Sequence, residues 1–498
     1  MNVIDRGMRA AAALSGRRLG AATALGAGAG LVTAFDGPIA HAFDWLWFAR
    51  QVPYVLSLLV LAAALTGVLV ARHRTLLWRD QFALATVAIV FSLHLSAIDL
   101  GPINPLNIMI AVVCMLWLLH RFVDHTASWS PSGFFHLTVL FMACILASAL
   151  NHDWRDILRG WVTLLPKLVL VLILTDILYD RRHVDLAVRA LITSCAIAAI
   201  VGMVQSGLYF GYQLETTLVG PDESRFVTIA GLPVLRAAGL QSTPHDYALP
   251  LAVAVPIALF LAGNAHGWRR AWLVAAAFLA LVGVILSVVR GQWLGVSVGL
   301  VLLPLVARPR LTLALWAPLG IGLFAVAIAS GLLPLAVRAV EGINESGSAV
   351  RLELLGVGIQ AIMDHPLKGV GIGNFGSYFV NFERYPVHNA LIQAASELGV
   401  IGGLTFVTAL AWVAARLVNG IRAVSDADAC HQLKALLVGY LCLLVAIQLA
   451  PAADNAFVWF YFVLADSAVR VALREARGRT PIAPERGEQR LGSLRSGI

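Results

Sequence analysis

Fourteen apolar runs of near-membrane length dominate this chain, and they leave it few ways to fold. They fall at roughly 19–37, 53–71, 81–98, 105–121, 133–150, 161–179, 188–209, 246–263, 271–289, 293–306, 311–330, 390–415, 433–450 and 453–471. An α-helix needs about 20 apolar residues to cross the hydrocarbon layer. Inside that layer every backbone polar group must find its partner within a helix or a closed barrel. These runs are continuously apolar rather than alternating, which points to helices and away from a barrel. Only 13% of the 498 residues are charged and 59% are hydrophobic, whereas a soluble chain carries about 25% charged residues. The run at 19–37 is weak and that at 293–306 is short. The expected fold is therefore all-α: a polytopic integral membrane protein with 12, at most 14, transmembrane helices and a long, partly helical loop on its outer face.

Basic residues orient the bundle. Arg72, Arg74 and Arg79, then Arg121, Arg181 and Arg182, Arg269 and Arg270, Arg308 and Arg310, and Arg416 and Arg422 fall in loops on one side of the runs. The positive-inside rule makes that side cytoplasmic, together with both termini. The net charge of +8 is explained this way and does not imply a nucleic-acid partner. The start carries Arg6, Arg9, Arg17 and Arg18 before a Gly/Ala-rich run, read as a retained first helix or a cytoplasmic lead rather than a cleavable signal. Residues 1–475 are expected to form one transmembrane domain with outer loops at about 210–245 and 331–389. The tail at 476–498, rich in Gly, Pro, Arg and Glu, is expected to be a disordered cytoplasmic extension. Of the five cysteines, Cys114, Cys144, Cys195 and Cys442 lie in apolar runs and Cys430 in a cytoplasmic loop. They read as small core residues, not as a disulfide set.

Inside the second loop, Ser346 or Ser348 suits the cap of a helix across Val350–Met363, and His365-Pro366 stops it. Gly369-Val-Gly-Ile-Gly373 follows as a flexible connection. The loop then runs into Arg384-Tyr-Pro-Val-His-Asn-Ala-Leu-Ile-Gln-Ala-Ala-Ser-Glu-Leu-Gly-Val-Ile-Gly-Gly403. His388 stands at the seam between polar loop and apolar helix, and Gly399 and Gly402 are spaced to let another helix approach closely. A titratable group at a membrane surface is a site candidate. The alternative is a histidine that merely marks a helix start.

The outer face also carries arginines that orientation does not explain. Arg290 lies in a short turn, Ser287-Val-Val-Arg-Gly-Gln-Trp293, with no acid near it in the sequence. Arg225 and Arg236 lie in the first long loop, and Arg338, Arg351, Lys368 and Arg384 in the second. Arg155 and Arg159 lie in an earlier turn, and Lys167 near an outer helix end. A guanidinium fork matches phosphate oxygens, so several around one cavity point to a phosphate or pyrophosphate on a lipid-linked substrate. Glu341, Glu345, Glu353 and Glu383 offer most of them ordinary ion pairs instead. Neutral His388 is suited to take a proton from a sugar hydroxyl. No cofactor and no metal are expected, because no His, Cys or Asp group has ligand spacing. Asp426-Ala-Asp428 reads as a solvated cytoplasmic loop. Asp44 and Asp99 are the acids an acid-based transferase would need on the outer face.

His388-Asn389 followed nine residues later by Gly399-x-x-Gly402 resembles a pattern of the O-antigen ligase and polymerase superfamily. Arg236-Ala-Ala-Gly, Ser287-Val-Val-Arg-Gly and Arg351 with Asp364-His-Pro-Leu-Lys-Gly-Val-Gly-Ile-Gly-Asn-Phe375 resemble three further segments of it, in the same order. The resemblance covers about 235–415. It implies a metal-independent, inverting glycosyltransferase of the bacterial inner membrane, with its site facing the periplasm. The donor would be a glycan on undecaprenyl pyrophosphate, the acceptor lipid A–core, and the product lipopolysaccharide. His388 would activate the acceptor hydroxyl. Arg236 and Arg290 would bind the pyrophosphate, and Arg351, Arg159, Lys167 and Asn389 would complete the substrate contacts. A protein O-oligosaccharyltransferase or an O-antigen polymerase is the alternative within the superfamily, although the chain shows no long C-terminal periplasmic region of the kind oligosaccharyltransferases often carry. A lipid or polysaccharide transporter is a third reading. It would need paired inverted repeats, which the sequence does not display.

Overall fold

The computed structural model describes residues 78–95, 105–123, 132–148, 154–212, 226–229, 232–307, 347–378 and 386–478. The helices longer than four residues are α1 (Trp78–Ser92), α2 (Pro105–Val123), α3 (Gly133–Ser148), α4 (Trp154–Ile177), α5 (Arg181–Tyr212), α6 (Pro244–Ala262), α7 (Gly267–Leu286), α8 (Arg290–Ala307), α9 (Gly347–Asp364), α10 (Ala390–Ala423), α11 (Ala427–Ala446) and α12 (Ala456–Gly478). Seven of them, α5 to α8 and α10 to α12, are long and apolar enough to cross a membrane. The all-α membrane fold expected from the sequence is thus the fold observed. The short run at 293–306 is a full 18-residue helix, because its first turn, Arg290-Gly-Gln, is polar and escapes an apolar count. The runs at 19–37, 53–71 and 311–330 lie outside the described residues, as do Asp44, Asp99, Arg225, Arg338 and Arg384.

A pair of strands, which the sequence did not predict, stands in the first outer loop. β1 (Phe226–Ile229) pairs antiparallel with β2 (Leu232–Leu235), Phe226 opposite Leu235. Phe, Val, Thr and Ile favour the pleat, and Pro233 is tolerated because a two-stranded ribbon has only edges.

Helices α6 and α12 form the centre. Within their apolar windows 78% and 83% of residues are buried, against 33% for α7 and 28% for α8. A helix apolar all round belongs in the interior, whereas α7 and α8 turn a face outward. Phe278 of α7 and Val301 of α8 are exposed, which suits a lipid solvent. α6 packs on α5, α7, α8 and α11, and α10 packs on α3, α11 and α12. Gly291, Gly295 and Gly299 line the buried face of α8, where an added Cβ would meet Leu449, the Cys442 carbonyl and Pro256. Small residues four apart let the backbones close up, and in lipid that contact replaces the missing hydrophobic drive.

The helices alternate in direction, so the N-termini of α6, α8, α10 and α12 gather at one end. The N-termini of α5, α7 and α11 gather at the other. The second end holds Arg181, Arg269 and Asp428 around one cavity, the grouping that the basic loops foretold.

Candidate functional site

His388 stands two residues before α10, and its segment is held from several sides. Val387 is buried in a small cluster with Leu354, Val357 and Ala361 of α9 and with Val370 and Phe375. Burying one such side chain contributes about 1.5–3 kcal/mol. Asn389 caps α10: its side-chain oxygen accepts from the N–H groups of Leu391 and Ile392, each at 3.0 Å. Its amide nitrogen donates to the Gln448 carbonyl at 3.2 Å and to the Gln448 side chain at 3.1 Å.

The first helical piece ends at Gly399, whose φ of 74° and ψ of 177° break α10 in two. The Pro366–Gly373 turn fills the break. Val400 N–H donates to the Pro366 carbonyl at 2.7 Å, and Val370 and Gly371 donate to the carbonyls of Ser396 and Glu397 at 2.8 and 3.0 Å. These are the orphan groups that a helix end leaves unpaired. A Cβ on Gly399 would stand 2.5 Å from the Leu367 carbonyl, and one on Gly369 would stand 2.3 Å from that of Glu397. The expected approach of a neighbouring helix at Gly399 and Gly402 is therefore corrected. A turn, not a helix, crosses Gly399, and the space at Gly402 is met by Leu398 of the same helix. The Gly369–Gly373 connection is likewise pinned to α10 rather than free.

A second segment brings Arg236. Its Nε donates to the Ser287 carbonyl at 3.3 Å, and Ala237 N–H donates to Leu286 at 3.0 Å. Gly239 exchanges two bonds with the Gln205 side chain, at 2.7 and 2.9 Å, and the Gln241 amide donates to the Leu93 carbonyl. The Arg-x-x-Gly stretch is thus stitched to α1, α5 and the end of α7. The third segment is the turn at 287–289. Val288 there has a φ of 52°, a left-handed conformation that costs a β-branched residue on the order of 1–3 kcal/mol. Arg290 is the first residue of α8, rather than a residue of the turn itself.

These segments converge. The charges that act on His388 are those of Arg351 and Arg236, and Arg290 acts in turn on Arg351. Burial first, then Arg351 and Arg236, push the imidazole down to about 4, against the opposing pull of the Pro386 carbonyl. Partial burial and then Arg290 lower Arg351. The His388 ring is therefore neutral near pH 7. Its Nδ1 lies 3.1 Å from the Pro386 carbonyl. A carbonyl only accepts, so this bond assigns the proton to Nδ1 and leaves the Nε2 lone pair available.

His245, in the first turn of α6, was given no role by sequence reasoning. Its ring centroid is 5.8 Å from that of His388, nearly edge-on. Its Nδ1 is buried without a hydrogen-bond partner among the described residues. The available signal was Thr243-Pro-His-Asp246, a capping sequence at the mouth of an apolar helix. Thr243 does cap α6, accepting from Asp246 N–H at 3.1 Å and donating to the Asp246 carboxylate at 2.9 Å.

Lys167 lies apart from the arginines. Its Nζ donates to the Asp454 carbonyl at 2.9 Å, on the wall of a cavity of about 250 Å³ shared with Gln241, Asp246, Asp454, Asn455 and Phe457. Arg159 belongs to α4, but its side chain lies outside the described residues. At the far end Asp426 caps α11 and pairs with Arg181 at 3.4 Å, while Asp428 is largely exposed.

No curated protein matches the chain. A family model described as O-Antigen ligase matches residues 275–407, a stretch that contains Arg290, Arg351, His388, Asn389 and Gly399 and leaves out Arg159, Lys167 and Arg236. That family implies a membrane enzyme of glycosyltransferase type working on lipid-linked glycans, as a ligase or a polymerase. The chain is accordingly a multi-pass membrane protein whose residues 275–407 match the O-antigen ligase family model, consistent with the resemblance to the O-antigen ligase and polymerase superfamily.

Proposed function

We propose that the chain is an O-antigen ligase, moving a glycan from undecaprenyl pyrophosphate to lipid A–core at the periplasmic face of the inner membrane. The observation that carries this reading is the convergence of a neutral histidine with the cations Arg351 and Arg236 around a domain of that family. His388 Nε2 takes the proton of the acceptor hydroxyl as its oxygen attacks the anomeric carbon. The carbon–oxygen bond to the pyrophosphate breaks from the opposite face, which inverts the centre and releases undecaprenyl pyrophosphate. Arg236, Arg290 and Arg351 stabilise the negative charge gathering on the leaving group, the work a metal does elsewhere. Asn389 positions His388 by capping α10 and tying it to Gln448. The basic loops support a cytoplasmic location for the opposite end, which leaves this site facing the periplasm.

The family match suits a polymerase equally, so the acceptor decides between the two. The test is transfer by purified protein, with undecaprenyl-pyrophosphate glycan as donor, lipid A–core as acceptor and EDTA present. Product is the expected result. Transfer to a second lipid-linked glycan instead would make the chain a polymerase, and transfer to a peptide an oligosaccharyltransferase. No transfer to any acceptor would favour a transporter and reduce His388 to a helix-start residue.

A further inference from the structure

Two polar regions of opposite character meet at consecutive residues. His245 faces His388, and Arg236 and Arg351 act on both histidines. Asp246, the next residue, lines the cavity of about 250 Å³ that holds Lys167, Asp454 and Asn455. One side gathers cations. The other gathers two carboxylates around one ammonium. A pyrophosphate is attracted to the first and repelled by the second.

The cavity wall is built for hydroxyl groups. Asn455 donates to Asp246 at 2.6 Å and Gln393 to Asp454 Oδ1 at 3.3 Å, which fixes both carboxylates in place. Lys167 uses one of its three donors, on the Asp454 carbonyl at 2.9 Å. Asp454 Oδ2 makes no bond to the described residues. A sugar hydroxyl both donates and accepts, so it satisfies a carboxylate oxygen and an ammonium together. Phe457 and Leu106 supply the apolar wall that a ring face needs. The volume of about 250 Å³ falls below the roughly 300–1,000 Å³ of pockets for drug-sized molecules, which suits a single ring. Gln393, one turn into the helix that His388 precedes, also accepts from Ala453 N–H at 3.1 Å and ties this wall to the proposed base.

We propose that this cavity is the acceptor subsite, holding one uncharged, hydroxyl-rich sugar ring beside His388 while the donor pyrophosphate lies on the arginines. The inference rests on the glycosyltransferase reading above. Its test is the separate measurement of acceptor and donor KM in Asn455→Ala, which removes a polar contact of the wall, and in Ala456→Leu, which fills the cavity and leaves its hydrogen bonds in place. Acceptor KM rises tenfold or more in both, with donor KM within twofold of the parent. An unchanged acceptor KM, or a rise in donor KM instead, would overturn the proposal. Wild-type protein provides a check that needs no variant: saturating acceptor protects Asp454 from carbodiimide labelling, and donor does not. Equal labelling with and without acceptor would sink the subsite, as would a wild-type enzyme that transfers only to a peptide. In those cases His388→Ala still abolishes transfer. Wild-type protein that transfers nothing to any acceptor removes the parent reading and this one with it.

Discussion

The two ends of the helical body handle charge in opposite ways. At the end where α5, α7 and α11 begin, cations sit beside anions. Arg181 reaches Asp426, Asp428 and Glu475 at 3.4, 3.9 and 3.8 Å, and Asp185 accepts from Gln432 at 2.8 Å. At the end where α6, α8, α10 and α12 begin, Arg236 and Arg351 act on His388, and Arg290 acts on Arg351. Gathering like charges raises the free energy of the empty protein. A ligand that brings negative charge recovers that cost when it binds. The paired end spends its charges on structure; at the other end, under the proposed function, the arginines meet the negative charge of the substrate.

The sharpest way to break this contrast is His388→Ala. It should cut transfer by about 10²–10⁴-fold, the usual worth of a positioned base, while thermal unfolding of the purified protein stays unchanged. A variant with parental turnover would remove the base. Next comes Arg236→Ala, expected to cost about 10²–10³-fold in turnover if it stabilises developing charge. Arg290→Lys should cost roughly tenfold or more, because a point charge does not replace a planar fork. Near-normal activity in both would make these arginines interface anchors.

The pH profile sharpens the same point. His388 is held at about 4 in the folded protein, below the unperturbed value of about 6.5. It stays neutral as pH falls, so the acid limb of kcat/KM should lie near 4 rather than 6.5. Removing a facing cation in Arg351→Met should move that limb upward. A limb that stays put would disconnect Arg351 from the histidine. Gly399→Ala tests the scaffold. Gly399 has φ 74° and ψ 177°, a region essentially confined to glycine that costs alanine about 1–3 kcal/mol, and the added Cβ would also collide with the Leu367 carbonyl. The expected outcome is a lower unfolding temperature with activity falling alongside, whereas a parental melting curve would mean that the turn can shift away. The smallest effect belongs to the paired end. Arg181 is 30% exposed, so Arg181→Ala should cost only about 0–1 kcal/mol and leave transfer intact. A large loss of transfer there would show that the two ends are coupled.

Much of this was legible in the chain itself. Apart from the short helix Phe375–Tyr378, each helix among the described residues coincides with an apolar run or with the expected segment Val350–Met363, because lipid forces every spanning stretch to satisfy its own backbone. His388 and Arg290 could be singled out because polar groups at the ends of apolar runs are costly and therefore conspicuous, whereas Arg236 and Arg351, inside long polar loops, stood out only through the family resemblance. The 226–235 hairpin was missed because four-residue strands carry too little alternation to read. His245, Asp246 and Asn455 were missed because each looks like an ordinary helix-start residue.

The sequence by itself determined that the fold is a helical membrane bundle, the end at which the basic loops gather and the histidine at the seam. Those are local consequences of hydropathy and charge. Only the tertiary structure decided that Arg236 and Arg351 act on His388 and Arg290 on Arg351, that a turn rather than a helix crosses Gly399, and that Asp246 and Asp454 line one cavity. Such juxtapositions join segments up to about 290 residues apart, such as Lys167 and Asp454. They depend on how the helices pack, which periodicity along one chain does not encode.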